Sequence, residues 1–382
     1  MKLSFLNILA IIILFQLTLL IIFLLVNKKG KALSNYLLAG FFFLILVNIT
    51  DGLLAYYGFY TLHPSLAHAE DSMVFLLGPV LYFYTHSVIY KNFQFSRSQL
   101  WHLAPFILVT VVYQLYYHLQ DEGYQRKIQQ SIVEQTLPPL FYVIAMILYF
   151  HVGFYVFLSL RKLYEYRIKI RERFSAIEKV NLEWLSFMLW FVAGIMVVSL
   201  IYTFLPAFGL RLYFDFFFAI AFLVLFIFIN LIVWKGLTQP SIFDGVDDGE
   251  RKYATTIPDA ERISIENRLN QTMKTEKLFL NPDLTVEGLS AAVGVPSKKV
   301  SQVINESFRQ NFFDFVNSYR ILEAERIMLE SEDPRLTVLE VMYAAGFNSK
   351  SSFNTIFKQK TGVTPSAFKK AAQVKKLSGD KL

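Results

Sequence analysis

Five polar side chains of the N-terminal half lie within stretches that are otherwise apolar. They are Asn48, Asp51, Gln114, His151 and Asp215. Polar groups are costly in lipid, so they usually face the interior of a helical bundle, where they line a cavity or hydrogen-bond to a neighbouring helix. Asp51 and Asp215 are expected near the same side of the membrane, where both can line a cavity for a small or lipophilic ligand. Hydrogen bonding between helices is the alternative and the commoner role.

A second chemical feature is the basic C-terminal end. Between Val341 and Leu382 the only acidic residue is Asp380. A solvated surface usually mixes both signs, whereas a one-sided excess suits contacts with phosphates. The basic residues of this stretch are Lys350, Lys358, Lys360, Lys369, Lys370, Lys375, Lys376 and Lys381.

Enzymatic and metal chemistry find little support. The chain has no cysteine, which excludes disulfides, iron–sulfur clusters and thiolate zinc sites. The loop from Leu62 to Asp71 carries histidine and carboxylate side chains, but nothing fixes a coordination geometry. There is no P-loop, HExxH motif or kinase ATP-binding motif. We therefore expect no enzyme, no metal and no cofactor.

The elements that must position these residues divide the chain in two. Of 382 residues 54% are apolar and 18% charged, and the excess of apolar residues lies between Leu3 and Lys235. Seven stretches are long enough to cross a bilayer, which needs about 20 helical residues. The first is too long for a signal peptide and lacks a cleavage site before Lys28. The predicted spans are Leu3–Val26, Tyr36–Tyr57, Ser72–Tyr90, Leu100–Leu119, Leu137–Leu160, Leu185–Phe208 and Leu212–Trp234.

The loops between these spans indicate their orientation. The odd-numbered loops carry twelve basic residues and the even-numbered loops three. Because basic loops stay in the cytoplasm, the sequence predicts a multi-pass protein of the inner, cytoplasmic membrane with its N-terminus outside and its C-terminal domain in the cytoplasm. The fifth loop, Arg161 to Trp184, has apolar residues at near-helical spacing. Three interpretations stay open: an extension of the fifth helix, an amphipathic helix on lipid, and a solvated loop.

After the membrane half (1–235), residues 236–256 are rich in glycine and aspartate and predict a flexible acidic linker. Residues 257–382 are helical in pattern, and one unit occurs twice. Leu284-Thr285-Val286 leads to a turn at Gly294, and Leu336-Thr337-Val338 leads to a turn at Gly346. A short helix, a glycine turn and a second helix form a helix-turn-helix. The two units span about 284–306 and 336–360, and a long helix, 312–329, joins them.

These residues resemble a known family. Glu340-Val341-Met342-Tyr343-Ala344-Ala345-Gly346-Phe347-Asn348-Ser349, then Ser352-Phe353-Asn354-Thr355-Ile356-Phe357-Lys358, then Gly362-Val363-Thr364-Pro365-Ser366-Ala367-Phe368-Lys369-Lys370, are similar to the C-terminal signature of AraC/XylS-type transcription regulators. The segment Asn317-Ser318-Tyr319-Arg320 fits the linker helix of that family. The resemblance covers roughly Leu278 to Lys370. The membrane half only resembles the multi-span sensor regions fused to such domains in some bacterial proteins.

The resemblance implies which side chains meet DNA. Aligned on the two turn glycines, the base-facing residues are Lys298, Ser301 and Gln302 in the first unit, and Lys350, Ser351, Asn354 and Thr355 in the second. These side chains suit the task, because lysine donates to guanine, and asparagine and glutamine pair with adenine. Phosphate contacts are expected from Lys299, Lys358, Lys360 and Thr364. The first unit departs from the usual pattern in lacking arginine on its recognition helix.

The sequence thus predicts an all-α protein: a seven-helix transmembrane bundle followed by a cytoplasmic domain of two helix-turn-helix units joined by a long helix. We expect a membrane-bound, one-component transcription regulator that binds double-stranded DNA and senses a small or lipophilic ligand or a membrane partner. The bilayer is its second partner, and RNA polymerase and a second copy of the chain stay open as others. The alternative is a transporter-like or scaffold protein whose tail binds a protein.

Overall fold

A computed structural model describes residues 5–27, 31–134, 136–178, 180–209, 214–238, 257–333 and 335–377. The described part of the chain is mainly helical and contains no β-strand, so the all-α prediction is confirmed. The chain forms two compact units. The first comprises Met1–Tyr164 and Leu182–Asp248, and the second comprises Glu165–Asn181 and Gly249–Leu382.

The first unit consists mainly of long apolar helices. In order they are α1 (Phe5–Val26), α2 (Ala32–Tyr56), α3 (Phe59–Leu62), α4 (Leu77–Ile89), α5 (Ala104–Tyr113), α6 (Glu122–Val133), α7 (Pro139–Arg171), α8 (Glu183–Phe204) and α9 (Phe214–Thr238). Short 3-10 turns, Asp71–Leu76 and Arg97–Leu103, precede α4 and α5, and a π-turn, Gln114–His118, follows α5. α1 packs against α2 and α9, α2 against α4, and α8 against α9.

Six helical segments of the described residues are long and apolar enough to cross a membrane. They overlap the first six predicted spans. The seventh predicted span overlaps α9, which begins at Phe214 and runs for 25 residues, and within its described side chains the apolar helix Ala219–Ile232 is shorter than a full span. Many large apolar side chains of these helices are exposed, among them Phe15, Phe150 and Trp190.

The fifth span differs from its predicted bounds. α7 continues to Arg171 as one helix of 33 residues. Of the three interpretations of the fifth loop, an extension of the fifth helix therefore describes its first half. The described residues between Arg171 and Glu183 are not helical.

The second unit contains seven helices in its described C-terminal part. They are α10 (Asp259–Thr275), α11 (Val286–Val293), α12 (Ser297–Ser307), α13 (Phe312–Glu330), α14 (Val338–Ala344), α15 (Lys350–Thr361) and α16 (Pro365–Leu377). Two apolar cores lie on either side of α13. Phe312, Phe315 and Val316 pack with α10, α11 and α12, whereas Ile321 and Ala324 pack with α14 and α15. One long helix thus holds both helix-turn-helix units.

Two predicted boundaries differ from the structure. α9 reaches Thr238, so the first residues of the predicted linker are helical, and residues 239–256 lie outside the described part. Residues 165–181, predicted within the membrane half, form part of the second compact unit.

Candidate nucleic-acid interface and a cavity in the first unit

Side-chain caps fix where the helices of the second helix-turn-helix begin. The Thr337 hydroxyl accepts a hydrogen bond from the Glu340 N–H at 3.1 Å, and the Glu340 carboxylate accepts one from the Thr337 N–H at 2.6 Å. This reciprocal capping box starts α14. The bond from the Thr337 backbone also holds the pKa of Glu340 below its usual range. The Ser349 hydroxyl caps α15 through the Ser352 N–H at 3.3 Å.

The turn between α14 and α15 requires glycine. Gly346 has a φ of 87°, in the left-handed region. A Cβ at this position would lie 2.6 Å from the Phe279 carbonyl oxygen and 2.7 Å from the Leu280 Cα. Both the backbone conformation and the close approach of the chain before α11 therefore exclude a side chain here.

Aromatic packing sets the orientation of α15. Phe353 and Phe357 are fully buried, and their ring centroids lie 5.5 Å apart. Phe353 also contacts the Phe347 ring, at 5.1 Å between centroids, and Phe357 contacts Phe368. With this face anchored in the core, the opposite face of α15 must point to solvent.

That outward face carries the base-facing residues implied by the family resemblance. Lys350, Ser351, Asn354, Thr355 and Lys358 are all exposed. Their spacing of three and four residues places them on one side of the helix. α15 contains no acidic residue, so nothing on this helix repels a phosphate. The exposed face offers ammonium, amide and hydroxyl groups, which are the groups that recognise base edges.

A cleft of about 840 Å³ joins the predicted base and phosphate contacts of this unit. Asn354, Thr355, Lys358 and Thr364 line it, together with Gln359, Pro365 and Ser366. Thr364 precedes α16, and its hydroxyl accepts a hydrogen bond from the Ala367 N–H at 3.3 Å. The start of a helix favours anions, so the cleft combines a lysine with a helix N-terminus. Lys360 is exposed on α15 but does not line the cleft.

The first helix-turn-helix presents its implied residues differently. Lys298 is exposed, but Ser301 and Gln302 are only 2% and 6% exposed. The Gln302 amide donates to the Glu306 carboxylate at 2.9 Å. Lys299, an implied phosphate contact, forms an ion pair with Glu261. Of the three implied base contacts of α12, Lys298 is the exposed one, and residues 301–304 are buried in succession.

Two predicted polar residues of the first unit line a cavity of about 520 Å³. Asn48 and Asp51 of α2 contribute to it with Asp71 and Tyr113, and the rest of the lining is mainly apolar. Side chains of α4, α7, α8 and α9 close it, among them Leu81, Tyr149, Tyr202 and Phe228. A cavity of this size and polarity fits a mainly apolar small molecule with one polar group.

Carboxylates gather at the polar end of this cavity. Asp51, Glu70 and Asp71 each place one oxygen within 4.8 Å of the other two. The Tyr60 hydroxyl donates to Asp51, and the His68 Nδ1 lies 2.6 Å from an Asp71 oxygen. These oxygens are the atoms that would bind a cation or a hydrogen-bond donor. In the sequence, Glu70 and Asp71 belong to the loop with ligand-type side chains for a metal, and they also mark an ordinary interfacial helix start.

The other predicted polar residues lie elsewhere. The His151 Nε2 is 3.1 Å from the carbonyl oxygen of Phe75, a hydrogen bond between two segments of the bundle. Gln114 is exposed in the π-turn after α5. Asp215 lies in the first turn of α9, and its side chain falls outside the described part. Among those of the five whose side chains the structure describes, Asn48 and Asp51 are the two that line the cavity.

Comparison with known proteins identifies similarity to the C-terminal region. Residues 289–371 match the family described as "Helix-turn-helix domain". The chain is 26% identical over 113 residues to an "uncharacterized HTH-type transcriptional regulator in cgkA 5'region" of Pseudoalteromonas carrageenovora. It is 28% identical over 109 residues to an uncharacterised HTH-type transcriptional regulator of Staphylococcus aureus strain COL.

These similarities cover only part of each protein. The first alignment spans 29% of this chain and 64% of the Pseudoalteromonas protein, and the second spans 28% of this chain and 14% of the Staphylococcus protein. No solved structure matches the chain.

Proposed function

We propose that this chain, whose C-terminal domain matches a helix-turn-helix family and resembles the AraC/XylS type of transcription regulators, is a membrane-bound regulator that couples a signal in the bilayer to operator binding. DNA binding is the function of this family.

The exposed face of α15 carries this proposal. Lys350, Asn354 and Lys358 follow one another at successive turns, with Ser351 and Thr355 beside them. A recognition helix enters the major groove with such a face, so asparagine and serine read bases while lysines contact guanine or phosphate. The cleft at Thr364 adds a phosphate site next to the same face.

The cavity of the first unit supports the sensing part. Its mainly apolar lining suits a lipophilic molecule, and the carboxylates of Asp51 and Asp71 favour a ligand with a cationic or hydrogen-bond-donating group. The predicted topology places this polar end toward the outer side of the membrane. Such a ligand reaches the cavity from outside or from the lipid phase without an extracellular domain.

In vitro selection from random duplex DNA tests the regulatory function. The full-length protein in lipid nanodiscs is the sample, and a salt titration separates specific from non-specific binding. We expect an enriched motif whose strongest positions lie in one major-groove segment, because α15 exposes its base-reading face whereas Ser301 and Gln302 of α12 are buried. Enrichment of no motif at any salt concentration would contradict the proposal and favour a protein-binding tail.

A further inference from the structure

A segment far from the C-terminal domain in sequence forms part of its fold. Residues 165–181, which are the end of α7 and the segment that follows it, belong to the second compact unit. We call residues 172–178, which directly follow α7, the strap. More than a hundred residues separate the strap from α11, so its contacts there are tertiary contacts.

The strap pairs by its backbone with the residues that begin α11. Phe174 and Thr285 form an antiparallel bridge. The Val286 N–H donates to the Arg173 carbonyl at 3.0 Å, and the Ser175 N–H donates to the Leu284 carbonyl at 3.2 Å. Thr285 is also the N-cap of α11, where its hydroxyl accepts from the Gly288 N–H at 3.2 Å. The strap therefore holds the start of the first helix-turn-helix.

The Arg320 guanidinium joins the strap to α13. Arg320 is 1% exposed, and it donates to the Ser175 carbonyl at 3.1 Å and to the Ser175 hydroxyl at 3.0 Å. It also donates to the carbonyls of Phe279 and Asn281, each at 2.7 Å, and to the Asn317 side chain at 3.1 Å. A buried cation is costly unless its donors are paired, and the strap supplies two of these acceptors.

One of the negative charges that act on Arg320 comes from the strap. Burial lowers the pKa of Arg320 to about 10, and the carboxylates of Glu178 and Asp283 act in the opposite direction. Glu178 belongs to the strap, and Asp283 belongs to the chain before α11. Withdrawal of the strap would remove one of these two charges as well as both Ser175 acceptors.

Side chains of the strap, and of Arg171 just before it, contact both helix-turn-helix units. Arg173 forms an ion pair with Glu287 of α11 at 3.1 Å. Ile177 packs against the second core, and Arg171, the last residue of α7, lies with its guanidinium 5.4 Å from the centre of the Phe313 ring. The strap thus contacts α11, α13 and the core beneath α15.

We propose that the strap is a built-in part of the DNA-binding domain and the route by which α7 acts on it, its docked form being the one that binds operator DNA tightly. Docking fixes the start of α11 and supplies hydrogen-bond acceptors to Arg320. It thereby holds the two helix-turn-helix units in one geometry on α13. Undocking leaves donors of Arg320 without acceptors and loosens that geometry. The effect on DNA binding rests on the proposed function, whereas the docking does not.

A disulfide that joins the strap to the start of α11 in the full-length protein tests this proposal. Phe174 and Thr285 are a non-hydrogen-bonded antiparallel pair, because the backbone bonds join the residues on either side of them. The Cα atoms of such a pair lie about 4.5 Å apart, which is within disulfide range. Because the sequence contains no cysteine, Phe174→Cys with Thr285→Cys introduces the only two thiols. The control pair is Phe174→Cys with Gln271→Cys, the latter at an exposed position of α10.

We expect the Phe174→Cys and Thr285→Cys pair to oxidise and the control pair to stay reduced. The oxidised protein should bind the selected operator at least about fivefold more tightly than the same protein after reduction, the lower end of typical coupling. Failure of the disulfide to form would overturn the docking. A disulfide that leaves operator affinity within about twofold of the reduced protein would overturn the coupling.

A milder variant and a second readout complete the test. Ser175→Ala removes one acceptor for Arg320, so we expect operator binding about three- to tenfold weaker, whereas Ser264→Ala on the exposed face of α10 should leave binding unchanged. If no form of the protein binds DNA, the proposed function fails. The strap is then judged by the disulfide and by the unfolding midpoint of the second unit, which oxidation must raise.

Discussion

At the scale of single residues, we expect the outward side chains of α15 to divide into those that read bases and those that hold phosphates. The Asn354 amide can pair with one base edge only, whereas the Lys358 ammonium attracts any phosphate. We therefore predict that Asn354→Ala weakens operator binding by about 1–3 kcal/mol but leaves non-specific binding intact. Lys358→Ala should weaken both alike and reduce the salt slope by about one.

Binding titrations at several salt concentrations, on operator and on random DNA, check this division. Lys274→Ala is the control, because it removes a lysine from an exposed position of α10 outside the predicted interface. Loss of affinity for random DNA in Asn354→Ala would show that Asn354 positions the helix instead of reading a base.

Three glycines of the second compact unit should differ in how much an alanine substitution changes the stability. Gly346 combines a φ of 87° with backbone atoms less than 3.0 Å from where a Cβ would lie, Gly294 has a φ of 70° with open space, and Gly288 has neither constraint. Substitution by alanine should destabilise the unit by about 2–4 kcal/mol at Gly346 and about 1 kcal/mol at Gly294, and should be neutral or slightly stabilising at Gly288. Unfolding midpoints in detergent measure the order, and equal midpoints for Gly346→Ala and Gly294→Ala would contradict the close approach.

At the scale of elements, α13 is the shared support of both helix-turn-helix units, and Glu323 ties it to the chain before α11. The Glu323 carboxylate accepts from Arg326 at 2.8 Å and from Lys277 at 3.1 Å, and the bond from Arg326 in particular lowers the pKa of Glu323. A lowered carboxyl pKa contributes stability that is complete above the ordinary value of 4.5 and is lost as the pH falls through the lower folded value.

Glu323→Gln should therefore cost about 1 kcal/mol at pH 7, and the difference from the parent protein should shrink as the pH falls below the ordinary carboxyl value. Unfolding midpoints as a function of pH provide the measurement. Glu330→Gln serves as control, since Glu330 is an exposed partner of the same arginine and should cost less. A difference that stays constant from neutral to acidic pH would mean that the Glu323 charge does not contribute.

The elements also show how far the sequence alone could lead. Local signals predicted α13 and α15 closely, because caps such as Thr285, turn glycines and apolar spacing act within a few residues. The burial of Ser301 and Gln302 and the docking of the strap depend on residues far apart in sequence, and no local pattern encodes them. Arg320 was visible only as part of a family motif. Its buried network could have been suspected from an arginine beside apolar residues on a core helix.

At the scale of the whole molecule, the basic charge of the fifth loop and the contacts of the strap both bear on which side of the membrane this loop lies. The fifth loop is the most basic of the predicted loops, and part of it, residues 165–181, belongs to the compact unit of the C-terminal domain. A loop that folds with a DNA-binding domain must lie in the same compartment as DNA. If the second compact unit binds DNA as proposed, the contacts of the strap predict a cytoplasmic fifth loop independently of its charge.

Cysteine labelling tests the resulting topology without background, because the chain has no cysteine of its own. Ser65, in the second predicted loop, and Asn92, in the third, are both exposed. With the odd loops in the cytoplasm, a membrane-impermeant maleimide should label Ser65→Cys in intact cells, and should label Asn92→Cys only after the membrane is opened. Gln271→Cys in α10 should behave like Asn92→Cys. Labelling of Gln271→Cys in intact cells would place the second unit outside, away from DNA, and would exclude operator binding as its function.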